Sequence, residues 1–122
     1  MADINYSINV KVDKGLLTSS IYVAGVTATM GAAGLHSTIY SLSGTPTTLV
    51  TASLSAVGLA FLQNISTATA TTCSIGVVSG GTVVPFSAPR PGEAAVLRLA
   101  AGSTYQATGT AGCRLRVDVT EG

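Results

Sequence analysis

His36 is the only histidine in the chain, so any Ser-His-Asp relay would have to pass through it. Its neighbours Leu35, Ser37 and Thr38 form no nucleophile elbow, and the motif Gly-x-Ser-x-Gly does not occur. His36 therefore reads as structural or exposed rather than catalytic. The five acidic residues are Asp3, Asp13, Glu93, Asp118 and Glu121. A glycosidase needs two carboxylates held across one bond, and nothing in this spacing positions such a pair. An oxygen-ligand metal site needs several acids in one short loop, which is also missing. Cys73 and Cys113 are the only cysteines. With one distant histidine they make no zinc pattern. In a reducing compartment they read as buried small hydrophobes rather than as a disulfide. The expectation is a protein that is not an enzyme, with no catalytic residues, no cofactor and no metal.

Two further groups of residues could take part in binding. Ser79-Gly80-Gly81-Thr82 looks superficially like a phosphate cradle, but no lysine follows and no helix opens behind it. Paired glycines supply the positive φ of a tight hairpin turn, so a hairpin is the reading. Arg114, Arg116 and Asp118 share the polar face of an alternating segment. They could contact a partner subunit, or form a solvated, locally paired face of an edge strand; the pattern leaves both open.

The elements that carry these residues read as short strands. Ile4, Tyr6, Ile8, Val10 and Val12 alternate with polar residues, the period of a half-buried strand. Asp13-Lys14-Gly15 ends it in a turn. Residues 19–30 follow, with Ile21 and Val23 on one face, Tyr22, Ala24 and Val26 on the other, and a bulge at Gly25. Residues 35–42, 47–54, 57–63 and 72–78 are the next strands. The second of these could instead be helical, since Val50, Leu54 and Val57 are spaced for it, but its Ser/Thr crowding favours β. In the return strand, Val83, Val84, Pro85 and Phe86, the proline points to a sheet edge where no N–H is required. Arg90-Pro91-Gly92-Glu93 reads as a type II turn, with φ preset at Pro91 and positive at Gly92. Glu93 is within reach of an ion pair with Arg90 or Arg98, and Ala95, Leu97 and Leu99 form the apolar face of the strand that follows. Cys113, Leu115, Val117 and Val119 alternate with Arg114, Arg116, Asp118 and Thr120. Strands this short and evenly spaced predict one all-β domain over residues 1–122, a single antiparallel β-sandwich that is jelly-roll-like.

Composition narrows the function. Charged residues make up 9% of the chain against 47% hydrophobic, and mean hydropathy is +0.53. A typical soluble domain is about 25% charged. A surface so poor in charge implies that part of it is normally covered by other chains. The net charge is +1 with no basic run, which disfavours nucleic-acid capture. The N-terminal residues do not read as a signal peptide. The longest apolar run is far below the roughly 20 residues of a membrane helix. Synthesis in the cytoplasm is the expectation.

From residue 57 onward the order of motifs is familiar. Val57-Gly58-Leu59-Ala60-Phe61-Leu62-Gln63-Asn64 leads into a Thr-rich segment. It is followed by Ser79-Gly80-Gly81-Thr82, Val84-Pro85-Phe86, Pro91-Gly92-Glu93, Leu97-Arg98-Leu99 and Arg114-Leu115-Arg116-Val117-Asp118-Val119. This order resembles small all-β virion proteins of tailed bacteriophages, of the capsid decoration (cement) type. The resemblance leaves residues 1–56 unmatched. It implies a structural protein on the capsid outer surface, made in the host cytoplasm. Its partners would be the major capsid protein and further copies of itself, as a homotrimer, with no nucleic acid and no membrane. Candidate interface residues are Val83, Val84, Pro85, Phe86, Arg114 and Arg116, with the first strand as a second edge. Pro91, Gly92 and Glu93 are carried as a structural turn. A tail or head–tail connector component is the nearest alternative. A carbohydrate-binding sandwich would have to use Tyr22, Tyr40 and Tyr105.

Overall fold

In the computed structural model, which describes residues 3–49, 54–67 and 71–122, the chain divides into two compact units, one ending at Gly31 and one running from Ala32 to Gly122. The described residues form strands and no helix.

The first unit is a two-stranded antiparallel ribbon, β1 (Ile4–Lys14) with β2 (Leu17–Ala28). Lys14 pairs with Leu17, so Gly15 and Leu16 make a two-residue turn. Gly15 has φ 60°, the sign a tight hairpin needs at its first central position. Leu17 is the first residue of β2. The bulge at Gly25 is present: the register shifts between Tyr6, opposite Val26, and Ile8, opposite Val23. Ser7 Oγ accepts a hydrogen bond from the Gly25 amide at 3.3 Å. The shift corrects one detail of the alternation. Val26 joins Ile21 and Val23 on one face, because the extra residue in β2 inverts the sides beyond it. That face also carries the alternating apolar residues of β1. The strand expected over residues 4–12 thus forms, and among the described residues its sheet neighbour is β2 alone.

The second unit is an antiparallel β-sandwich. One sheet has the order β3 (Leu35–Leu42), β10 (Cys113–Glu121), β5 (Val57–Asn64), β8 (Ala94–Arg98). The other has the order β4 (Thr47–Thr48), β9 (Tyr105–Gly109), β6 (Cys73–Ser79), β7 (Thr82–Ser87). The period-two pattern does what it predicts. Cys113, Leu115, Val117 and Val119 of β10 point inward and are buried, while Arg114 and Arg116 are exposed. Tyr40, Leu42, Ala60 and Leu62 join them from the same sheet, and Cys73, Ile75, Tyr105 and Ala107 face them from the other. At about 25 cal/mol per Å² this shared apolar interior is the main force holding the two sheets together. Of the strand expected over residues 47–54, Thr47–Thr48 forms as β4, and residues 50–53 lie outside the described residues. Leu49 is buried with its amide donating to the Tyr105 carbonyl at 2.9 Å, and Leu54 packs against the core. Val50 lies outside the described residues, and Val57 opens β5.

Pro85 lies on β7, an edge strand as expected. β7 carries a bulge of its own: Ser87 pairs with Ile75 and Pro85 with Gly76, leaving Phe86 as the extra residue. The turn at Arg90-Pro91-Gly92-Glu93 also forms. The Glu93 amide donates to the Arg90 carbonyl at 2.9 Å, and Gly92 has φ 87°.

Candidate functional site

Four of the five carboxylates are spent on the backbone or on neighbouring side chains. Asp3 Oδ2 accepts from the Met30 amide at 2.9 Å. The Glu121 oxygens accept from the Ser55 and Ala56 amides at 3.1 and 2.9 Å. Glu93 Oε1 accepts from the Arg90 amide at 2.7 Å. This corrects the ion pair expected for Glu93: the tight turn brings the Arg90 N–H closer than either guanidinium. Asp118 pairs with Arg116 at 3.0 Å and accepts from Ser37 Oγ. His36 Nε2 lies 2.9 Å from Thr38 Oγ1 on the same strand. Among the described residues, no three His, Cys, Asp or Glu side chains gather where a metal could sit. The same residues contain no helix long and apolar enough to cross a membrane.

Cys73 and Cys113 are free thiols, both buried between the sheets. Burial pushes the Cys73 thiol up to about 12, and the neighbouring Cys113 thiol adds to the shift. A thiol is nucleophilic only as thiolate, so Cys73 is inert near neutrality. Native protein at pH 8 is expected to react with Ellman's reagent far more slowly than unfolded protein. In the unfolded chain Cys73 titrates near 9.0. The unfolded state therefore loses its proton first, and folding stability falls as pH rises from about 9 toward 12. Denaturant titrations across that range check the sign; stability rising with pH would contradict it.

The candidate interface residues do not form one patch. Val84 and Phe86 on β7 are 55% and 45% exposed. Phe86 lies edge-to-face on Tyr105, ring centroids 6.2 Å apart at 87°. The bulge that frees Phe86 from the ladder also turns its ring onto Tyr105, whose hydroxyl donates to the Ala100 carbonyl at 2.7 Å. Arg114 and Arg116 lie on the other sheet. The edge-strand reading of these arginines is corrected as well: β10 runs between β3 and β5, so both project from the outer face of a central strand. The Arg116 guanidinium stands 5.7 Å over the Phe61 ring and bonds Asp118 through Nε at 3.1 Å. Ion pairing and cation–π contact hold it flat across the sheet. On this face Arg116 is already neutralised by Asp118, while Arg114 beside it is exposed.

The outer face of the second sheet is lined with hydroxyls. Ser74 Oγ and Thr108 Oγ1 are 2.9 Å apart, and Gln106 Nε2 donates to Thr48 Oγ1 at 3.1 Å. Ser74, Gln106 and Thr108 border, with Pro46, Thr82 and Pro85, an open groove of about 370 Å³. Its side chains offer hydrogen bonds and no acid or base. Of the three tyrosines that a sugar groove would require, Tyr40 and Tyr105 are core residues and Tyr22 belongs to the ribbon.

Two features are not apparent from the sequence. Asn64 is fully buried and anchors the proline-glycine corner. Its Nδ2 donates to the Pro89 carbonyl at 3.0 Å, its Oδ1 accepts from the Ser66 amide at 3.0 Å, and its own carbonyl accepts from the Gly92 amide at 2.7 Å. The order "strand ending in Asn, then Pro-Gly-Glu" was a signal, but it did not say that the two touch. The second feature is that β1 and β2 form a two-stranded sheet of their own. Its signal was strand length: eleven and twelve residues, when the sandwich strands run to nine at most.

No protein-family model, curated protein or solved structure matches the chain.

Proposed function

We propose that the chain is a structural virion protein, a phage capsid decoration (cement) protein that stabilises the head shell through contacts with the major capsid protein and with copies of itself. The observation that carries this reading is a surface equipped for contact rather than chemistry. Large apolar side chains stand exposed on the edge strands β3 and β7 (Leu35, Ile39, Val84, Phe86), on a chain that is only 9% charged. Exposed strand edges are ready pairing surfaces. Weak contacts repeated over many equivalent shell positions add up to firm attachment.

Strand order supports a jelly-roll reading of the sandwich. Along the chain, β3, β5, β8 and β10 go to one sheet and β4, β6, β7 and β9 to the other. This is the interleaving of two Greek keys, an arrangement used by viral capsid domains. The resemblance of the second half of the chain to phage virion proteins points the same way.

The test is co-sedimentation of the purified chain with empty heads assembled from a tailed-phage major capsid protein. Saturable binding is expected, together with heads that survive higher temperature when decorated. Heads that neither bind the chain nor gain heat resistance would overturn the proposal.

A further inference from the structure

Cys73 and Cys113 belong to different sheets, Cys73 opening β6 and Cys113 opening β10, yet the fold brings them to one corner of the interior. Cys73 is paired across the ladder with Gly109 of β9. Paired residues of an antiparallel ladder point to the same side, with their Cβ positions about 5 Å apart. Gly109 has no Cβ, and the Cβ of Cys113 lies 3.0 Å from where one would stand. Cys113 thus fills the place beside Cys73 that the side chain of a ladder partner would take. A larger residue at 109 would press on it and on the Thr72 carbonyl, 2.8 Å from the same position.

Thr110 fixes both cysteines at this corner. Its amide donates to the Thr72 carbonyl at 3.0 Å, its hydroxyl accepts from the Thr72 amide at 3.1 Å, and its carbonyl accepts from the Cys113 amide at 3.0 Å. One threonine therefore holds Cys113 and the residue before Cys73. The thiols reach each other, since Cys113 acts on Cys73 by charge and as a hydrogen-bond partner. Both are buried, and among the described residues no third His, Asp or Glu joins them.

We propose that Cys73 and Cys113 are a cross-link site, at which a small-molecule disulfide oxidises the pair to a bond that staples β6 to β10 across the interior. Two exchange steps make the bond. The thiolate of one cysteine attacks the S–S bond of the oxidant, forming a mixed disulfide and releasing half of the oxidant as thiolate. The thiolate of the other cysteine then attacks the protein sulfur of that mixed disulfide, closing the Cys73–Cys113 bond and releasing the second half. The two protons lost by the cysteines go to the two released thiolates. The protein gives up two electrons and the oxidant accepts them. Burial bars these steps from the closed sandwich, so they run while the sheets come together or when they open. The bond closes a loop of about 40 residues, which removes freedom from the unfolded chain and favours the folded one. Nothing in this chemistry depends on a capsid.

The experiment takes full-length protein, unfolded and reduced, and dilutes it into mixtures of glutathione and glutathione disulfide, in native buffer or in concentrated urea. Intact mass and peptide mapping identify the Cys73–Cys113 bond. The glutathione mixture that oxidises half of the protein reads the effective concentration of one thiol at the other. That concentration is expected to be at least about tenfold higher in native buffer than in urea. Oxidised protein is expected to unfold at a midpoint at least about 5 °C above that of the reduced protein. An effective concentration no higher in native buffer, glutathione left on either cysteine as the main product, or a midpoint that does not rise on oxidation would overturn the proposal. Each of these outcomes would make the pair a space filler only.

Discussion

Replacing Asn64 with leucine is expected to cost about 3 kcal/mol of folding stability, although leucine is nearly isosteric and more apolar. Asn64 is fully buried, and its amide serves two backbone groups, the Pro89 carbonyl and the Ser66 N–H. Leucine leaves both without a partner away from water, and each orphaned group costs roughly 1 to 3 kcal/mol. For a sandwich of this size the midpoint of thermal unfolding should drop by roughly 12 to 24 °C. Calorimetry reads the shift directly. A change below about 2 °C would mean that water reaches the corner and the side chain is not its anchor. The amide hydrogen of Gly92, which bonds the Asn64 carbonyl, should lose exchange protection in the same variant, localising the damage to the turn.

The second large effect belongs to Gly76. A Cβ placed there would overlap the Val84 carbonyl oxygen and lie 2.6 Å from the Val84 carbonyl carbon. These are backbone atoms, so no side-chain rotation relieves the clash. The bulge at Phe86 presses β7 onto this point, and Gly76 is also paired with Gln106 of β9 on its other side. Gly76→Ala is therefore expected to destabilise the protein by about 2 to 3 kcal/mol, in the range of overpacked cores. Hydrogen exchange should show β7 opening first, since β7 is the edge and has one neighbour to lose. If alanine is tolerated without change in the denaturation midpoint, the close approach of β7 is wrong.

These two residues also show what a sequence can and cannot reveal. Period-two alternation predicted that Leu115, Val117 and Val119 face inward and that Arg114 and Arg116 do not, because alternation is a local property of extended chain. The same alternation in Ile4, Tyr6, Ile8, Val10 and Val12 identified an apolar face and was silent on what covers it. A sandwich strand and a free ribbon have the same pattern. Pro85 and Gly92 were legible because proline and glycine restrict or release φ by themselves. The neighbours of β10 were not, since placing it between β3 and β5 depends on pairings far apart in sequence. Glu93 was misassigned for a related reason. Charge suggested a guanidinium partner, while the turn it closes supplies a nearer N–H. Asn64 and Gly76 owe their importance to contacts that exist only after the sheets have formed.

The central position of β10 has a consequence for the order in which the molecule assembles. β3 has no ladder neighbour except β10, and β5 is bordered on one side by it. The sheet therefore cannot close until the segment Cys113–Glu121 has left the ribosome, whereas the ribbon, built from adjacent segments around Gly15, can zip up as soon as it is made. Closing loops this long is slow compared with hairpin formation. During that interval β3, an edge-forming strand with no charged residue, waits unpaired beside finished ribbons of neighbouring nascent chains. Translation rate and chaperone supply, rather than final stability, would then govern the yield of correctly folded protein.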